Sequence, residues 1–142
     1  MKIIIGSDHA GYNHKKLLIE FFNKNNINYY DSGTYSNDST DYPDYAHDVA
    51  KKVVEDKNNV GVLICGSANG VAMTANKHAG IRAAICWDNE IASLARSHND
   101  ANVICIPARF VSSNKQEKIF KTFISQPFEG GRHQKRTNKI NC

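Results

Sequence analysis

Five short apolar runs rich in β-branched residues, each followed by a stretch of helical period, constrain this chain more than any other feature. The runs are Lys2 to Ile5, Ile27 to Tyr30, Val60 to Ile64, Ile81 to Ile85 and Val103 to Ile106. Such alternation is the pattern of strand–helix units on a parallel sheet, because parallel neighbours need a long crossover between them. Three of the five runs are almost wholly apolar, as strands covered on both faces should be. Between the runs, Leu17, Leu18, Phe21 and Phe22 form one apolar stripe, and Ala46, Val49, Ala50, Val53 and Val54 form another at i, i+3, i+4, i+7, i+8 spacing. Val71 to His78, Asn89 to Ser97 and Asn114 to Ile124 supply three more helices, the last opened by Ser112 or Ser113 as N-cap with Glu117 early in it. Five strands and five helices with right-handed crossovers predict an α/β fold: a three-layer α/β/α sandwich on a five-stranded parallel sheet, Rossmann-like. Ligands of such sheets bind beyond the carboxyl ends of the strands, so function is sought in the loops that follow them.

The 142 residues suit one domain, 1–142, with residues 126–142 as a basic C-terminal tail. No apolar run approaches the ~20 residues of a membrane span, and Ile3-Ile4-Ile5 after Met1-Lys2 is too short for a signal peptide, so a cytoplasmic protein with no membrane partner is expected. Cys65, Cys86, Cys105 and Cys142 stand far apart, without metal-site spacing, and read as reduced thiols with no metal. The net charge of +4 is matched by the tail, where Arg132, Lys135, Arg136 and Lys139 occur with no acid after Gly130. A neutral body with a short basic tail argues against nucleic acid and for an anionic small molecule.

Two loops stand out. Gly6-Ser7-Asp8-His9-Ala10-Gly11 follows the first strand and Cys65-Gly66-Ser67-Ala68-Asn69-Gly70 the third. Their small residues let backbone N–H groups approach an anion at the mouth of a helix. A polar segment, Ser32 to Asp44, reads as a surface loop forming a rim or lid. Neither glycine loop is a dinucleotide fingerprint or a P-loop, so nucleotide cofactors are disfavoured. The position six past Cys65 is Val71 rather than the Arg of a low-molecular-weight tyrosine phosphatase, and a receiver domain would need an Asp where Cys65 stands. What remains is a thiol at a strand end before a helix N-terminus, whose dipole can lower a Cys pKa from ~8.5 toward neutrality. Cys65 is thus either a reactive thiolate or a small buried hydrophobe, as Cys86 and Cys105 are. His98, within Ser97-His98-Asn99-Asp100, is either a helix C-cap or a catalyst. Asp8, His9, Arg109, Arg132 and Arg136 admit the same two readings, structural or ligand-binding.

Taken together, several ordered blocks resemble the ribose-5-phosphate isomerase B family, which also includes the subunits of galactose-6-phosphate isomerase. These are Gly6 to Gly11, Asp41-Tyr42-Pro43, Cys65 to Gly70, Ala75-Asn76-Lys77, Gly80-Ile81-Arg82-Ala83, His98 to Asn102, and Gly130-Gly131-Arg132-His133 with Arg136, spanning nearly the whole chain. The resemblance implies interconversion of D-ribose 5-phosphate and D-ribulose 5-phosphate through an enediolate, in the pentose phosphate pathway, with no metal or organic cofactor. It implies Cys65 as the base moving a proton between C2 and C1, and His98 as the acid/base of ring opening. Gly66, Ser67, Ala68, Asn69 and Gly70 would hold the enediolate oxygen, Asp8 and Asn99 the sugar hydroxyls, and His9, Arg109, Arg132 and Arg136 the phosphate. It further implies a homodimer or a dimer of dimers with sites built from two subunits, and strands one and three side by side. The chain departs from the family where the loop after Cys65 often reads Gly-Thr-Gly and here reads Ser67-Ala68-Asn69, and Val71 stands where relatives lacking the Cys use a Glu. A galactose-6-phosphate or allose-6-phosphate isomerase, and a non-catalytic sugar-phosphate sensor, are the alternatives. Keeping Cys65, His98, Asp8 and the arginines in one chain favours the homomeric pentose enzyme.

Overall fold

The computed structural model describes residues 1–141; the thiol expected at Cys142 lies outside the described residues. Its strands are β1 (Lys2–Ser7), β2 (Tyr29–Asp31), β3 (Asn59–Cys65), β4 (Ala83–Ile85) and β5 (Val103–Pro107). The helices are α1 (Tyr12–Lys24), α2 (Tyr42–Glu55), α3 (Asn69–Ala75), α4 (Asn89–Ser97), α5 (Ser113–Ser125) and α6 (Arg132–Thr137), with a 3₁₀ turn over His9–Gly11. All strand pairs are parallel, in the order β2-β1-β3-β5-β4. The chain leaves β1 toward β2 and then returns to its other side for β3, so the β1–β3 seam is a switch point of the kind that opens a ligand crevice.

Alternation along the strands divides the core between the two faces of the sheet. Ile3, Ile5, Val62, Ile64, Ile104 and Ile106 pack on one face with Leu18 and Phe22 of α1, Ala92 and Ala95 of α4, and Ile119, Phe120 and Phe123 of α5. Ile4, Leu63, Cys65, Val103 and Cys105 face the other way, against Ala46, Val49, Ala50 and Val53 of α2 and Val71, Ala72 and Ala75 of α3. The sandwich is therefore the three-layer one that the apolar stripes predict.

Boundaries differ from the sequence expectations for local reasons. The loop after β2 ends at Asp41, because Tyr42 already opens α2 with Pro43 in its first turn, where a missing N–H costs nothing. Ile27 is not in β2, since its N–H closes the end of α1 on Phe22 O at 2.9 Å. Ile81 likewise serves a turn, donating to His78 O at 3.1 Å, and β4 starts at Ala83. The third helix stops at Ala75, three residues short of the expected His78. A sixth helix, α6, occupies the basic tail.

Candidate active site

The carboxyl ends of β1 and β3 place the two glycine loops against each other. Gly11 makes this possible: a Cβ there would lie 2.3 Å from Ile64 O, so no other residue fits at the closest approach. Asp8 joins the loops. Its Oδ1 accepts from Gly11 N–H at 3.1 Å, capping the 3₁₀ turn, and its Oδ2 accepts from the Cys65 thiol at 3.3 Å. Both groups are buried, Asp8 at 5% exposure and Cys65 at 8%. The Asp8 carboxylate expected on sugar hydroxyls is therefore first of all the partner of the thiol.

The thiol is not the acidic one that a helix dipole alone would make. Burial raises the Cys65 pKa, as do the charge of Asp8 and the hydrogen bond to it. The backbone N–H groups of Ala68 and Gly66 favour the thiolate, but the opposing causes are larger. With seven residues, α3 is also a short dipole. The expectation of a lowered pKa in the free protein is corrected accordingly: the free protein holds Cys65 protonated at neutral pH. Cys86 and Cys105 are buried more deeply still, as inert core thiols; burial pushes Cys86 up to about 12. Cys86 lies just past the end of β4 rather than inside a strand.

The loop after Cys65 turns through Ala68, which adopts a left-handed conformation at φ 63° before α3 begins. The amides of Gly66 and Ala68 are directed at the sulfur, while Asn69 N–H donates to Ser67 Oγ at 3.3 Å. The Arg109 guanidinium lies against Gly66, where an added Cβ would meet its Cζ at 3.0 Å, and the Tyr42 ring covers Gly70. His9 Nδ1 accepts from Thr40 N–H at 3.2 Å, which puts the ring proton on Nε2. That bond pins the 32–41 segment to the first loop as a rim. Lys15, 1% exposed on the inner face of α1, secures the same segment by donating to Asp31 Oδ1 at 2.5 Å and to Thr34 O at 2.6 Å. Its signal in the sequence is a cation in register with Leu18 and Phe22 on an apolar stripe.

His98, Asn99, Arg132 and Arg136 are not brought to this cluster. His98 is the C-cap of α4, its N–H donating to Leu94 O at 2.9 Å, and the chain then enters β5 at its start. Cys65 pairs with Pro107 at the opposite end of that strand. The five residues of β5, about 13 Å of strand at ~3.3 Å per residue, run between the two regions. The tail belongs with His98: Glu129 N–H donates to Ser97 O at 3.0 Å, and Gly130 and Gly131, with φ of 66° and 53°, turn the chain into α6. The His133 ring stacks on His98 with centroids 4.1 Å apart. Exposed Arg132 and Arg136 lie one turn apart on α6, and neither guanidinium makes an ion pair or hydrogen bond among the described residues. Glu129 and His133 escape a residue-by-residue reading of the sequence, because nothing local announces that the tail returns to α4.

Comparison with known proteins places the chain in a family and a fold. The sequence profile of the Ribose/Galactose Isomerase family matches residues 3–140. A ribose 5-phosphate isomerase structure from Thermotoga maritima is 42% identical, covers 99% of this chain and 97% of its own, and superposes with a TM-score of 0.96. Ribose-5-phosphate isomerase B from Mycoplasma genitalium, solved with bound ribulose-5-phosphate, is 43% identical over 98% of this chain and 93% of its own, with a TM-score of 0.94. The curated ribose-5-phosphate isomerase B of Escherichia coli is 39% identical over 99% of this chain and 95% of its own length.

Proposed function

The chain belongs to the ribose/galactose isomerase family and is an isomerase, and from that premise we propose that it interconverts D-ribose 5-phosphate and D-ribulose 5-phosphate through an enediolate. The observation that carries this reading is the buried Cys65–Asp8 pair at the β1–β3 switch point, with the amides of Gly66 and Ala68 on the sulfur.

Isomerisation requires one base able to reach both C1 and C2 of the open-chain sugar. Cys65 is that base. A thiolate formed against burial and Asp8 is a stronger base than an ordinary one, at the cost of a smaller ionised fraction. It takes the C2 proton of the aldose and returns a proton to C1, while the O2 hydroxyl proton passes to O1 so that the carbonyl of the ketose forms at C2. The negative charge that develops on the C1 oxygen falls beside the loop amides, which need no reorganisation to receive it; donors of this kind are typically worth about 3 kcal/mol each. Arg109 over Gly66 and the Nε2–H of His9 supply donors for the anionic substrate at the same end of the sheet.

The furanose must open before C2 becomes acidic, and His98 is the group for that step. Because β5 separates His98 from the Cys65 of its own chain, a second copy of the chain brings its His98, Asn99, Arg132 and Arg136 to the pocket. The two arginines, exposed and without partners among the described residues, suit a phosphate lying outside their own subunit. The protein then acts as a homodimer or a dimer of dimers. The test is formation of ribulose 5-phosphate from ribose 5-phosphate by the purified protein in the presence of EDTA. Turnover is expected, and its absence overturns the proposal.

A further inference from the structure

The phosphate-binding role proposed for the tail leaves Glu129 without an explanation. This carboxylate stands three residues before Arg132, yet among the described residues it approaches neither arginine. It lies instead between two imidazoles, with Oε2 at 3.4 Å from His133 Nε2 and 4.0 Å from His98 Nε2. A negative group beside two phosphate-binding arginines works against a dianionic ligand, so phosphate recognition does not account for it.

The backbone places this group with some care. Glu129 N–H is bonded to Ser97 O, directly before His98, and Gln126 Oε1 accepts from Ser93 Oγ at 2.9 Å, so the segment is stitched along α4 at two points. Gly130 and Gly131 then reverse the chain through two positive-φ residues, and among the described residues nothing lies within 4 Å of where a Cβ would stand on either. Their glycines therefore answer a backbone need, not a space need. The turn, closed by His133 N–H on Gly130 O at 3.0 Å, carries His133 inward to 5% exposure while Arg132, Lys135 and Arg136 stay outside. Burial chiefly lowers the His133 pKa, as do the charges of His98 and Arg132, while Glu129 works the other way. The His98 and His133 rings are nearly parallel, at 12°. Stacking in this way keeps their nitrogen lone pairs in separate parallel planes, so an ion could not lie in the plane of both rings, and the trio is poorly shaped for a metal.

We propose that Glu129, with His133 stacked behind the ring, is a positioning residue for His98: it draws Nε2–H of His98 toward its carboxylate and leaves Nδ1 free to open the sugar ring. The inference rests on the ring-opening role given to His98 above. In that step Nδ1 takes the proton of the anomeric hydroxyl. The bond from C1 to the ring oxygen breaks, its electron pair goes to that oxygen, and the same proton is returned there. The imidazolium that exists between the two transfers is the species Glu129 stabilises. The 4.0 Å separation shortens as substrate excludes water, as catalytic contacts commonly do.

The experiment compares the wild-type chain, Glu129→Gln, His98→Asn and the double variant in two single-turnover assays. One follows ketose formation from ribose 5-phosphate, which needs ring opening. The other follows deuterium uptake at C1 of ribulose 5-phosphate, an open-chain sugar. Glu129→Gln is expected to slow the first about tenfold or more and the second much less, with little change in KM, and to add nothing in the His98→Asn background. Glu129→Asp should recover part of the loss. The inference is overturned if Glu129→Gln behaves as wild type, if it slows both assays equally, if it chiefly changes KM, or if its effect persists undiminished without His98. The underlying functional reading fails differently: the wild-type chain would then turn over neither sugar.

Discussion

The two ends of the sheet are built on opposite plans. At the carboxyl ends of β1, β2 and β3 a set of polar groups is buried or half-buried and committed: Cys65 to Asp8, Asp8 to Gly11, His9 to Thr40, and Lys15 to Asp31 and Thr34, while Arg109 after β5 stays exposed. Near the start of β5 Arg82 and Arg96 pair with Asp100, but the groups offered by α4 and the tail are open, with His98 and Glu129 partly exposed and Arg132 and Arg136 unpaired among the described residues. A reacting centre must be rigid before substrate arrives, since reorganisation in the transition state is costly. Groups that complete a neighbour's pocket must instead remain on the surface until the subunits meet. Under the shared pocket proposed above, the difference separates what one chain organises alone from what it would offer to another.

The largest effect that could break this division is at the committed end. Cys65→Ala should lower kcat by roughly 10²- to 10⁴-fold with little change in KM, because a base acts in the transition state and contributes little to ground-state binding. Iodoacetamide should alkylate Cys65 slowly at neutral pH. The raised thiol pKa means that the folded protein keeps the proton after a free thiol, at 9.0, would have lost it, so alkylation should accelerate only above that pH. Substrate should slow it further. Near wild-type turnover in the alanine variant would remove the thiol from the mechanism.

A smaller effect belongs to the open end and sharpens the comparison. Arg136→Ala should raise KM by roughly ten- to a hundredfold with a lesser change in kcat, as loss of a charge-assisted contact made equally in the ground and transition states. If the tail serves a neighbour, Cys65→Ala and Arg136→Ala chains mixed under subunit exchange should form heterodimers carrying one doubly damaged and one intact site. Activity should recover toward about half that of wild type per heterodimer. No recovery, with exchange confirmed by mass spectrometry, would assign each tail to its own pocket.

The smallest effect tests the loop itself. Ala68 holds a left-handed conformation that costs an L-residue about 1 kcal/mol, and Ala68→Gly removes that strain while loosening the unfolded chain by a similar amount. Thermal unfolding should therefore move by only a few degrees, and kcat should be kept. A large loss of activity would show that the Ala68 methyl, fully buried against α2 and α3, sets the direction of the amides.

The sheet and its helices could be read from local sequence, because burial on both faces leaves unbroken β-branched runs and one-sided helices leave stripes such as Ala46 to Val53. The family, and with it the candidate residues Asp8, Cys65, His98 and Arg136, was likewise readable from ordered blocks. Edges were less so: Ile27 and Ile81 have the composition of strands, but their N–H groups serve turns. Three properties arose only in three dimensions. The acidity of Cys65 depends first on burial and then on a carboxylate 57 residues away, brought near by a parallel pairing that sequence spacing does not encode. The distance of His98 from Cys65 follows from the direction in which α4 and β5 run, not from their separation along the chain. The grouping of Glu129, His133 and His98 exists because the tail folds back on α4. Local sequence determines which way each segment folds and which face it buries; the charges that each group finally feels come from whatever the topology sets beside it.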